Sequence, residues 1–319
     1  MLDVALQSAG VLFVALAALI ISSEIVVRSS VVIARYARIS ELAIGFIFLA
    51  IATTIPDLTV SLVAALDGFV NLAVGDALGG SVTAVLFVVG FTAFIAGTIA
   101  VKRHEMLDVI KILFITSILP LMLTLYRMSS FVVGIILLYV FFMYSYVVLK
   151  TGIAPEKMKR EEMVTKRGAW IAFFGMVAGL VLLVASANFA VANAVKLSDL
   201  LGLSQTFVGA TIMALATSLP EATVGILAMR KGHSSLAIGG LVGSSVASIS
   251  MVLGFVALVT PFAIQLRPFL NVVIFLIIAN IVLWYFLQTR GKITRKEALI
   301  LLAIYVLYIL SGLGVESGI

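Results

Sequence analysis

The chain is a succession of apolar runs separated by short polar connections. A helix rises about 1.5 Å per residue, so roughly 20 apolar residues match the hydrocarbon thickness of a bilayer. Runs of that kind lie near residues 4–34, 40–66, 69–100, 105–126, 129–150, 168–195, 205–229, 233–260, 264–289 and 295–313. The pattern predicts ten transmembrane helices, five on each side of the polar stretch TGIAPEKMKREEMVTKRG. That divides the chain into a first half at 1–150, a linker at 151–167 and a second half at 168–319.

Composition agrees: 63% of residues are hydrophobic and 11% charged, with a mean hydropathy of +1.26. The fold class read from this is an all-α membrane protein. The opening MLDVALQSAG carries an acid and no Lys or Arg, so a retained first helix is expected rather than a cleaved signal. Cysteine is absent, which excludes disulfides and thiolate metal sites.

The net charge of +6 reads as orientation once the basic residues are placed on the loops. Of the 21 Lys and Arg, 18 fall on one side of the predicted spans, and only Arg127, Lys196 and Arg267 fall on the other. By the positive-inside rule the basic loops are cytoplasmic. Both termini are then extracellular, and a plasma-membrane location is expected. No basic patch is interleaved with aromatics, so nucleic acid is not an expected partner. The expected partners are transported cations and lipid, with no cofactor; a monomer is compatible with this reading.

The two halves repeat. Ala50–Gly90, AIATTIPDLTVSLVAALDGFVNLAVGDALGGSVTAVLFVVG, aligns without a gap on Ala214–Gly254, ALATSLPEATVGILAMRKGHSSLAIGGLVGSSVASISMVLG, at an offset of 164 residues. Five spans is an odd number, so the second copy enters the membrane in the opposite direction. Inverted repeats follow, an architecture in which substrate sites lie near the midplane between repeats.

Each repeat carries an acid directly after a proline: Pro56-Asp57 and Pro220-Glu221. A proline inside a helix removes one donor, so broken helices are expected here, with the carbonyls of Ala52 and Ala216 freed. Thr53 and Thr217 precede the acids by four residues, Thr54 and Ser218 by three, so hydroxyls and carboxylate share a helical face. The result is two matching clusters of hard oxygen donors, suited to Ca²⁺, Mg²⁺, Mn²⁺, Na⁺ or H⁺ rather than zinc or copper.

The next span of each repeat opens with small residues, Gly75 to Ser81 and Gly239 to Ser245, which permit close helix approach. Ser244 and Ser248, four apart, can both face the site. Prolines and glycines in spans have ordinary structural explanations. An acid in a span is costly and by default a functional candidate, and two at equivalent positions more so. Asp76 is a further candidate whose repeat mate is Gly240. Glu24 reads as an ion pair with Arg28 four residues on, and His104 and His233 as loop residues. Asn188, Asn193, Asn271 and Asn280 are expected to hydrogen-bond between helices.

The doubled Ala-x-Ala-Thr-[Thr/Ser]-x-Pro-[Asp/Glu], followed by Gly-x-x-x-Gly-[Gly/Ser]-Ser, resembles the two alpha-repeats of the calcium/cation antiporter superfamily, of the sodium/calcium exchanger type. The resemblance implies that Asp57 and Glu221 are the central cation ligands. It implies hydroxyls or carbonyls from Thr53, Thr54, Thr217 and Ser218, carbonyls from Ala50 and Ala214, and Ser244 at an adjoining ion site. The chain departs from that pattern in having Asp57 rather than Glu in the first copy, Gly80 rather than Ser, and Ala84 and Ser248 in place of Asn or Asp. These departures leave fewer oxygen ligands. The motif wording favours Na⁺ coupling and the ligand count H⁺. The function expected is exchange of Ca²⁺ for Na⁺ or H⁺ by alternating access. Competing readings are an intramembrane aspartyl protease, suggested by Val74-Gly75-Asp76-Ala77, and a passive cation channel.

Overall fold

The computed structural model describes residues 2–36, 50–100, 113–119, 129–151, 164–230, 234–260 and 269–317. The linker at 152–163, the start of the second predicted span, both histidines and most of the fourth span lie outside these residues.

The described chain is almost entirely helical. In the first half, α1 is Leu2–Tyr36, α2 Ala50–Leu66, α3 Val70–Thr83, α4 Val89–Ala96 and α5 Ser130–Thr151. The second half holds α6 Lys166–Leu201, α7 Gln205–Val208, α8 Ala214–Arg230, α9 Ser234–Ala247, α10 Leu253–Val259, α11 Leu270–Arg290 and α12 Arg295–Ser317. A helical run at 113–119 represents the fourth predicted span. Among the described residues, 7 helical stretches are long and apolar enough to cross a membrane, and two shorter apolar ones are Thr53–Leu66 and Ser130–Tyr146. Both halves are thus built from membrane-compatible helices, as the hydropathy pattern required.

Local chemistry accounts for the helix ends. Thr165 caps α6 by accepting from the Gly168 amide at 3.2 Å, and Gly202 ends it at φ +67°, a left-handed turn that a side chain would resist. The α2–α3 turn likewise needs Gly68, at φ +88°.

Burial sorts the helices into an inner and an outer layer. The stretch Ala237–Val259 is 83% buried and Val70–Ala96 78%, whereas Lys166–Leu201 is only 17% buried. The long α6 therefore shows most of its apolar surface to lipid. It packs along α1, where Gly179 sits against Val26 and Ile25. Inside that pair lie α2, α3, α8 and α9. Glycines let the inner helices meet backbone to backbone: a Cβ on Gly79 would fall 2.3 Å from the Ala210 carbonyl, and one on Gly209 at 2.3 Å from the Leu72 carbonyl.

The expected helix breaks are displaced. Pro56 lies inside α2 and Pro220 inside α8, and both helices continue through them. The irregular backbone falls elsewhere, as wider π-helical turns at Ala84–Val88 and Ser248–Val252, which are repeat mates, and at Gly209–Met213 ahead of α8. A buried bundle tolerates a proline because neighbouring groups satisfy the freed carbonyl. A π-turn instead inserts a residue and re-aims the side chains around it.

Further contacts join the halves. Ser81 and its repeat mate Ser245 touch hydroxyl to hydroxyl, and the Ser81 hydroxyl also donates to the Ser245 carbonyl at 2.8 Å. In return the Ser245 hydroxyl approaches the Ser81 carbonyl at 3.4 Å. A short antiparallel bridge pairs β1 (Ile99–Ala100) with β2 (Lys292–Ile293), bringing the loop after α4 beside the loop after α11.

Several polar side chains elsewhere find partners within the bundle. Arg28 pairs with Glu24 as expected. Asn280 donates to Ser117 at 2.6 Å and Asn271 accepts from Ser311 at 3.0 Å, both between helices. Asn188 and Asn193 do not bridge helices: each donates at 2.8 Å to the carbonyl four residues back in α6. Asn188 is exposed on the outer side of α6.

Candidate functional site

The two Pro-acid positions lie on α2 and α8, the inner helices of each half, and the structure buries both acids: Asp57 is 1% exposed and Glu221 2%. They lie close enough for a direct charge–charge interaction. Thr53, Thr54, Thr217 and Ser218 are buried around them. A shared helical face brought hydroxyls and acids to the same level, as the spacing required.

Their partnership differs from the expectation of two self-contained clusters, because the halves cross. Thr53 stands beside Glu221 of the other half, and Thr217 beside Asp57. The Thr217 hydroxyl meanwhile donates to the Met213 carbonyl at 3.0 Å and approaches that of Ala214 at 3.2 Å. Ser248 crosses too, donating to Asp57 Oδ2 at 2.9 Å. Ser244 stands beside Glu221 while donating to the Leu241 carbonyl at 2.9 Å. So Ser244 and Ser248 both face the site but serve different acids. Ala50 opens the described part of α2, and Ala214 opens α8 just after the π-turn.

Oxygen atoms without partners remain at the centre. Among the described residues, Asp57 Oδ1, Glu221 Oε1 and Ser218 Oγ are buried and accept or donate no hydrogen bond. Buried carboxyl oxygens without donors call for a bound cation or a proton. Among the described residues no Lys, Arg or His is buried. The donor set is all oxygen, which fits a hard cation as cargo.

Gly80 matters by its missing side chain. A Cβ there would stand 3.3 Å from Asp57 Oδ2 and 3.9 Å from Ser248 Oγ, so glycine leaves room beside the carboxylate. Ser248→Ala, which removes the donor to Asp57, is expected to weaken cation binding by about ten-fold, the worth of one hydrogen bond to a charged group. Equilibrium ⁴⁵Ca²⁺ binding to the purified variant checks this; unchanged affinity would mean the hydroxyl only fills space.

Asp76 is buried at 0% exposure. It interacts with Asp57 by charge, yet no group of three or more His, Cys, Asp or Glu forms a metal-sized cluster among the described residues. It is a neighbour of the central pair. Its hydrogen-bond donor is Ser61, at 2.7 Å, a residue the motif reading did not single out. No sequence signal marks it beyond its place one helical turn after Asp57. Beside Glu221 a small cleft opens between α8 and α9, lined by Thr53, Glu221, Gly225, Gly240, Leu241 and Ser244 among others.

The family model described as sodium/calcium exchanger protein matches residues 7–150 and 171–312, nearly the whole chain and both halves. The chain belongs to the sodium/calcium exchanger family. Its relatives include a protein of Alkalimonas amylolytica named as an antiporter, CaxA, 30% identical over 92% of this chain and 95% of that one. Another is the sodium/calcium exchanger MaX1 of Methanosarcina acetivorans, 24% identical over 94% of this chain and 96% of that one. The solved sodium-calcium exchanger NCX_Mj, soaked with 10 mM Na⁺ and zero Ca²⁺, shares the fold with a TM-score of 0.66 at 24% identity. That alignment covers 96% of this chain and 99% of NCX_Mj. Membership makes the protein a membrane ion antiporter and removes the aspartyl protease reading.

Proposed function

We propose that the protein exchanges Ca²⁺ for Na⁺ or H⁺ across the plasma membrane by alternating access, with Asp57 and Glu221 as the shared ligands. The observation that carries this is the pair of buried, partnerless carboxylate oxygens held face to face by hydroxyls from the opposite half. Thr53, Thr54, Thr217, Ser218, Ser244 and Ser248 complete the oxygen shell, with carbonyls of Ala50 and Ala214 at its edge. Two carboxylates balance one Ca²⁺. Competition of the counter-ion for those same oxygens makes exchange obligatory. An empty pair is costly to occlude, so the protein changes state only when loaded.

The architecture proposed is ten spans in two inverted repeats. Its support is the reciprocal contact of Ser81 with Ser245, residues one repeat length apart, because a residue touching its own mate marks a local two-fold axis. The β1–β2 bridge agrees, since it pairs two loops that the charge pattern assigns to the same cytoplasmic side. The α1–α6 pair, packed on α2 and α8 and otherwise facing lipid, is the element free to slide as access alternates. The cleft beside Glu221 lies toward the end of α8 that carries Arg230, the side that the charge pattern assigns to the cytoplasm. Both termini are then extracellular.

The test is ⁴⁵Ca²⁺ uptake into proteoliposomes loaded with Na⁺ at uniform pH, beside matched vesicles carrying only an outward proton gradient. Uptake driven by either gradient, and none without one, is the expected result. Na⁺-driven uptake assigns sodium coupling, and uptake driven only by protons assigns proton coupling. Ca²⁺ flux that continues without any counter-ion gradient would make the protein a channel and overturn the proposal.

A further inference from the structure

The two halves differ at one layer. In the first half Asp57 on α2 faces Gly80 on α3. Ser61 follows Asp57 by one turn and Asp76 precedes Gly80 by one turn, so Ser61 and Asp76 form the next layer toward the α2–α3 turn at Asp67–Phe69. Both are 0% exposed. The Ser61 hydroxyl donates to Asp76 Oδ2 at 2.7 Å and lies 3.2 Å from the Ala73 carbonyl, while Asp76 Oδ1 has no hydrogen-bond partner. In the second half the equivalent positions are Gly225 and Gly240, and both line the open cleft beside Glu221. Two repeat positions thus yield an open approach in one half and an acid with a hydroxyl in the other.

We propose that Asp76 and Ser61 form a second cation subsite, on the approach to Asp57 from the face of the α2–α3 turn, where a monovalent cation is held on its way to or from the central pair. The proposal rests on Asp57 and Glu221 being that pair. Its oxygens are one carboxylate with a free lone-pair atom, a hydroxyl and a backbone carbonyl, and its single negative charge matches Na⁺ rather than Ca²⁺. No buried Lys, Arg or His among the described residues neutralises Asp76. The nearby acids on packed helices, Asp57 and Glu221, add to the demand for positive charge. When inverted repeats trade conformations, the first half takes the open form now seen in the second, and the Ser61–Asp76 layer becomes the lining of the opposite route. Asp76 then makes that route attractive to cations, whereas the glycine-lined cleft relies on Glu221 alone.

The experiment measures the Na⁺ concentration that half-saturates ⁴⁵Ca²⁺ exchange, with Na⁺ supplied from one face at a time to full-length protein reconstituted in a single orientation. Asp76→Asn should raise it about ten-fold at the face of the α2–α3 turn, the loss of one charged ligand, and leave the other face within about two-fold. Asp76→Glu should retain most of the effect of the acid. Ser61→Ala, a milder change, should give a shift of about three-fold at the same face and decides the matter should Asp76→Asn fail to fold. Equal shifts at both faces, or none at either, would overturn the subsite; so would a changed pH dependence with Na⁺ half-saturation intact. Failure of the central pair looks different: there Asp57→Asn would leave exchange running from both faces.

Discussion

Asp57→Asn and Glu221→Gln should each reduce Ca²⁺ exchange by at least about 100-fold, because each removes one of two charges that balance the cation in a buried site. The amides keep the shape of the acids, so Ser248 still has an acceptor at position 57 and the packing of α2 against α3 is retained. What is lost is charge: Ca²⁺ between one carboxylate and one amide is a buried net positive charge. Both variants should elute as folded protein on size exclusion in detergent while failing to take up ⁴⁵Ca²⁺ in proteoliposomes. Near-normal uptake by both would remove the central pair from the mechanism. Loss in one alone would place the cation on that acid and its cross-half hydroxyl, Thr217 for Asp57 or Thr53 for Glu221.

Gly79→Ala should be the most destabilising single methyl addition of the inner layer. The new Cβ would lie 2.3 Å from the Ala210 carbonyl oxygen and 2.4 Å from the Ala210 Cα, and neither atom can rotate away. α3 would have to retreat from the π-turn at Gly209–Met213 as a unit. That retreat also disturbs the 2.7 Å bond in which the Tyr308 hydroxyl donates to the same Ala210 carbonyl. Overpacking against backbone costs about 3 kcal/mol or more. Gly10→Ala is the control, since a Cβ there meets nothing within 4 Å and alanine favours a helix. Thermal unfolding in detergent should show Gly79→Ala melting well below the parent and Gly10→Ala at or above it. Equal melting of the two would contradict the backbone contact between α3 and the π-turn at Gly209–Met213.

The acids were legible from sequence because lipid makes an unpaired carboxylate costly, so Asp57 and Glu221 stood out against apolar runs without any knowledge of packing. The same reasoning found the Glu24–Arg28 pair. It failed where the partner lies on another helix. Spacing placed Thr53 and Thr217 on the face of their own acids, yet each serves the acid of the other half, since the helices meet around the Ser81–Ser245 contact. Ser61 carried no mark, because serine is common in spans and its importance comes only from Asp76 standing opposite. The prolines were the reverse case: a strong local signal for a break that packing absorbed, leaving the irregular turns at Ala84–Val88, Gly209–Met213 and Ser248–Val252.

The sequence by itself determined that this is a helical membrane protein, that its two halves repeat, and that each carries one costly acid among hydroxyls, because hydropathy, charge bias and self-similarity are written along one dimension. Only the tertiary structure decided which hydroxyl meets which acid, that Gly79 and Gly209 bring backbones into contact, and that Gly225 and Gly240 leave a cleft where Ser61 and Asp76 close one. Those outcomes depend on how helices from opposite halves cross, and residues 164 apart in the chain carry no local signal of touching.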